Sequence, residues 1–120
     1  MKDTKILTDN NINLEQSLEL LGDIEFYEET LQEFSQEIDS KIEKMKNYKE
    51  AGDMPNYAIL VHSLKSDSKY LGFTTLAELA YQQELEIKQN NSYYINEHFE
   101  ELTNELNGIL NVVKQYLENE

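Results

Sequence analysis

Apolar side chains recur at spacings of three and four through most of this chain, and that period commits it to helices. The clearest stripe runs Ile24, Tyr27, Leu31, Phe34, Ile38, Ile42 and Met45, and it ends at Ala51-Gly52. Such positions share one side only at about 3.6 residues per turn. Proline occurs once and glycine four times, and three of the glycines, Gly22, Gly52 and Gly72, stand where the period breaks. They punctuate an all-helical chain.

The ends of the segments carry their own signals. Asn13 with Gln16 resembles a capping box for a short helix over 14–21, with Leu14, Leu18 and Leu21 on its apolar side. Asp23 can cap the long helix that follows. Asp53 and Pro55 suit the start of a third helix running to Leu71, with Gly72 as its left-handed stop. Thr74 or Thr75 is expected to cap a fourth, with Leu76, Leu79, Ala80, Gln83 and Ile87 inward and an end at Asn90-Asn91. A fifth begins near Ser92 and aligns Ile95, Phe99, Leu102, Leu106, Ile109, Val113 and Tyr116 or Leu117, which makes Gly108 internal. Four long helices with short connections predict an all-α fold, an antiparallel up-and-down four-helix bundle over 13–119, with the extra short helix covering one end. Residues 1–12 are polar and are expected to form a flexible tail.

One helix carries the chemistry. At about 100° per residue, Tyr57, Leu60, Leu64, Ser68 and Leu71 fall opposite His62, so the core lies behind the imidazole and the ring faces solvent. Pro55, Ala58, Ile59, Lys65, Ser66 and Lys69 share its side. Between Met54 and Ala77 the one acid is Asp67, which points away from the histidine. A locally basic window therefore opens in a chain of net charge −14.

That charge, 24 acids against 10 bases, argues against nucleic-acid partners, which need clustered cations. All the bases are lysines, so the bidentate fork that reads guanine is missing as well. No apolar run approaches the roughly 20 residues that span a bilayer, and Met1 to Thr8 lacks the apolar stretch of a signal peptide, so no membrane is expected and the cytoplasm is the expected location. Zero cysteines exclude a disulfide framework, a thiolate nucleophile and a cysteine zinc site.

The run His62-Ser63-Leu64-Lys65-Ser66-Asp67-Ser68-Lys69-Tyr70-Leu71-Gly72 resembles the histidine-containing phosphotransfer (HPt) domains of bacterial phosphorelays, whose pattern is H-x-L-K-G-x-S-x-x-L-G. Six of the seven specified positions match: His62, Leu64, Lys65, Ser68, Leu71 and Gly72. Ser66 departs from it, standing where the family most often has glycine. Weaker likeness extends to 24–34 and to 76–86.

The resemblance implies a role for each residue. His62 accepts a phosphoryl group from a receiver-domain aspartyl phosphate and passes it to another receiver. Lys65, one turn on, acts as a charge clamp on the phosphoryl oxygens. Counting along the resemblance places at Glu84 the Gln or Glu that accepts from one ring nitrogen and orients the imidazole. Ser66, Lys69, Ala58 and Ile59 make the face on which the receiver docks. The chain is expected to need no metal or cofactor of its own, with Mg²⁺ supplied on the partner receiver, and to be a monomer.

Other classes remain to be weighed. Direct phosphorylation by a histidine kinase is the alternative within this chemistry, since chemotaxis-kinase phosphotransfer domains also tend to carry a glutamate and the run seen here as Gly72-Phe73-Thr74. No ATP-binding or nucleophile-elbow motif is present, so the chain reads as a carrier without autokinase activity. A di-iron bundle needs Glu-x-x-His, but Ile59 and Ile95 stand three residues before His62 and His98. His98 reads as a boundary histidine with a local partner. A helical adapter that uses Ala58 and Ile59 to bind a partner, with His62 incidental, is the alternative from another class.

Overall fold

The computed structural model describes residues 2–119 and contains six helices and, among the described residues, no strand. In chain order these are α1 (Lys5–Thr8), α2 (Leu14–Leu21), α3 (Ile24–Ala51), α4 (Met54–Leu71), α5 (Thr74–Lys88) and α6 (Ser92–Glu118). The fold is all-α. Helix α4 packs between α3 and α5, α5 meets α6, and α6 returns to α3, so the four long helices enclose one core. Tyr27, Leu31, Ile38, Met45, Tyr57, Val61, Leu64, Leu76, Leu102 and Val113 fill it.

Local chemistry sets the boundaries. The side chains of Asn13, Asp23, Asp53 and Asn91 each accept from a backbone N–H three residues on, which satisfies one of the free donors of the first turn. Asn13 and Gln16 form a variant of the capping box: their side chains bond each other at 3.2 Å, while Asn13 N–H donates to Gly72 O at 2.9 Å. Helix α3 stops at Gly52 and α4 at Gly72, both in the left-handed region.

Gly72 answers two demands together. Its φ is +82°, and a Cβ placed there would lie 2.6 Å from Asn13 O and 2.8 Å from Ser17 Oγ. The start of α2 therefore rests directly on the end of α4, at a closeness that only glycine permits.

Three expectations need correction. Residues 2–12 are not a free tail, although Met1 lies outside the described residues. Leu7 on α1 is fully buried, α1 packs on α6, and Ile12 pairs with Phe73 in an isolated antiparallel bridge. Ile6, Leu7 and Ile12 are too few to give a period to read, and the burial of Leu7 and Ile12 depends on surfaces contributed by α6 and Phe73.

Neither Thr74 nor Thr75 caps α5. Phe73 holds the cap position without a side-chain bond, and Thr74 is the first helical residue. The Phe73 ring is buried, edge-on to Phe34 at 5.4 Å, so packing fixes the junction one residue earlier than cap chemistry suggests. On α6, Leu110 is buried, whereas Ile109 and Phe99 are only half-buried against the core.

Candidate functional site

His62 lies in the middle of α4, on the side away from Tyr57, Leu64, Ser68 and Leu71, all of which are buried. Its side chain is 61% exposed. Ile59 is exposed one turn before it and Lys69 two turns after it, while Ala58 and Ser66 are half-buried on the same helix.

Two charged links hold α4 on either flank. Toward α3, Lys41 donates to Ser63 Oγ at 2.8 Å and to Asp67 Oδ2 at 3.2 Å, which neutralises the one acid in this stretch of α4. Toward α5, Glu84 serves two donors with its two oxygens. Oε2 lies 2.6 Å from His62 Nδ1, and Oε1 accepts from Lys65 Nζ at 2.9 Å.

The carboxyl of Glu84 is buried, and burial alone would push its pKa up. The hydrogen bonds from Lys65 and His62, with their charges, outweigh this and hold it below the usual carboxylate range. An ionised carboxylate can only accept, so the proton between the two groups belongs to Nδ1. In the neutral ring Nε2 is then the nitrogen that keeps a lone pair.

Lys65 is not a free cation here. Its side chain is 13% exposed, bonded to Glu84, and its ammonium lies 5.5 Å from the centre of the Tyr81 ring. Lys88, one turn after Glu84, brings a second ammonium to 3.8 Å from the same Oε1. Sequence reading missed Tyr81 and Lys88. They stand three before and four after Glu84, so the helical period around that residue was the available signal.

Behind the site, Tyr57 donates to Gln83 Oε1, and Gln83 Nε2 donates to the His98 carbonyl at 3.3 Å. This buried chain ties α5 to α4 and α6 one residue before Glu84. The His98 ring stacks on Tyr94 with ring centres 4.0 Å apart and stands 3.8 Å from Glu101, both on its own helix. Among the described residues, no group of three His, Asp or Glu could hold a metal ion, and no helix is long and apolar enough to cross a membrane.

An all-helical core with an exposed imidazole oriented by a carboxylate on the next helix is an arrangement suited to carrying a group on a ring nitrogen. The family model of the Hpt domain matches residues 29–112, a span that includes His62, Lys65 and Glu84, and the chain belongs to that family. Hpt domains serve histidine phosphotransfer in phosphorelays, where they meet receiver domains and kinases. Comparison with curated proteins and with solved structures gives no match.

Proposed function

We propose that this chain is a phosphocarrier in which His62 Nε2 takes a phosphoryl group from an aspartyl phosphate on a receiver domain and hands it to another receiver. The observation that carries this reading is the 2.6 Å contact between His62 Nδ1 and Glu84 Oε2 on a ring that is otherwise largely exposed. In the forward step the Nε2 lone pair forms the N–P bond and the P–O bond to the receiver's aspartate breaks, with the electron pair leaving on that carboxylate. Nδ1 keeps its proton, so the ring becomes cationic as the bond forms. Glu84 then stabilises it as a fixed anion, in the way a buried aspartate supports a catalytic imidazole.

Lys65 is the charge clamp for the equatorial oxygens. Ala58, Ile59, Ser66 and Lys69 form the receiver's docking face, and Ser66 is small enough to let the partner reach the ring. The receiver brings Mg²⁺ and the remaining catalytic groups. The closed set of contacts among α3, α4, α5 and α6 supports reading these helices as an antiparallel up-and-down bundle, the rigid support such a site needs.

Incubation of the whole chain with a phosphorylated receiver tests the proposal. Acid-labile, alkali-stable phosphate should appear on the chain, disappear in His62→Gln and persist in His98→Gln. Labelling retained without His62, or lost equally in both variants, would remove the assignment. No labelling from a phosphorylated receiver, with partner capture unchanged in His62→Gln, would favour the adapter reading.

A further inference from the structure

Glu84 has two oxygens and three donors within reach. Lys65 Nζ is bonded to Oε1 at 2.9 Å, whereas Lys88 Nζ stands 3.8 Å from that same atom. The second distance is too long for a hydrogen bond but short enough for Coulomb attraction. The Lys88 side chain is 69% exposed, so nothing packed around it fixes its end. One lysine is therefore bound and shielded, and the other waits nearby.

The clamp role of Lys65, on which this inference rests, requires its ammonium to turn from Glu84 toward the phosphoryl oxygens on Nε2. That departure would leave a nearly buried carboxylate oxygen unserved, which opposes the movement. It would also happen as further negative charge arrives beside Glu84. We propose that Lys88 is the stand-in counter-ion of Glu84, closing on Oε1 as Lys65 turns to the phosphoryl group. The carboxylate then keeps two donors throughout and continues to hold His62 Nδ1. The closure required is about 0.9 Å, the difference between the two separations, and rotation of a long exposed side chain supplies it.

In this scheme Lys88 is a positioning residue, since it touches neither phosphorus nor ring. Single-turnover phosphorylation of the whole chain by a phosphorylated receiver, compared among wild type, Lys65→Ala, Lys88→Ala, Lys88→Arg and the Lys65→Ala/Lys88→Ala pair, tests it. Lys88→Ala should slow acceptance about three-fold, the range of a solvent-screened ion pair, and Lys88→Arg should restore it. The double variant should react more slowly than Lys65→Ala, because once Lys65 is gone Lys88 is the lysine left to serve Oε1. A wild-type rate for Lys88→Ala, no rescue by arginine, or equal rates for Lys65→Ala and the double variant would overturn the stand-in role. A wild-type rate for Lys65→Ala would instead refute the clamp itself, so the two failures are distinguishable.

Discussion

Replacing Glu84 by alanine removes one acceptor from two donors, and the loss can be sized from their exposure. The carboxylate is 10% exposed and the His62 ring 61%, so solvent weakens their bond from one side. This places it at the lower end of the range for charged hydrogen bonds, about 1.5 kcal/mol. If all of that acts in the transition state, where the ring becomes cationic, phosphoryl acceptance falls about ten-fold. The measurement is single-turnover transfer from a receiver phosphorylated by a small-molecule donor, paired with long-range ¹H–¹⁵N spectra that report which ring nitrogen carries the proton. Glu84→Gln separates orientation from charge. A carboxamide has one acceptor and one donor end, so it can accept from Nδ1 only by turning its NH₂ toward Lys65. This variant should keep the Nδ1–H tautomer while reacting at a rate between wild type and Glu84→Ala. A wild-type rate for Glu84→Ala, with the ring's tautomer unchanged, would refute the reasoning.

Acid titration of stability should show the same carboxylate. Its pKa is held below the ordinary value of 4.5, so the unfolded chain takes up the proton first, and the stability it contributes is complete above that value and lost as pH falls through the lower folded one. In urea unfolding, the gap between wild type and Glu84→Gln should be constant above pH 4.5 and narrow below it; a gap that widens in acid would contradict the shift. Gly72→Ala combines left-handed strain with a Cβ pressed on Asn13 O and should cost about 2–4 kcal/mol, whereas Gly52→Ala, with open space around it, should cost about 1 kcal/mol. Equal losses at the two sites would mean that α2 yields freely. Among the described residues Ser68 Oγ is buried without a hydrogen-bond partner, so Ser68→Ala should stabilise the fold by about 1 kcal/mol and raise Tm by roughly 4 °C. A fall in Tm would show that the hydroxyl is satisfied after all.

The parts of the molecule legible in the sequence are those governed by neighbours along the chain. The spacing from Ile24 to Met45 depends only on the helical period, the caps at Asn13, Asp23 and Asp53 bond residues three positions away, and Gly52 and Gly72 stop their helices through their own backbone freedom. The outward direction of His62 follows from the same period, since it is set by the apolar residues around it on one helix.

Tertiary packing decided what distant segments do to one another. Leu7 and Ile12 are buried because α6 and Phe73 receive them, which no local pattern announces. Phe73 displaces the threonines at the start of α5 because its ring fits against Phe34. Above all, the sequence presents Lys65 as an exposed cation one turn from a histidine, but α5 lies against α4 in a register that gives it to Glu84, lays it near Tyr81 and brings Lys88 to the same oxygen. Which donor a carboxylate serves depends on distances across a helix interface, and those are fixed only when the buried faces of the two helices interlock.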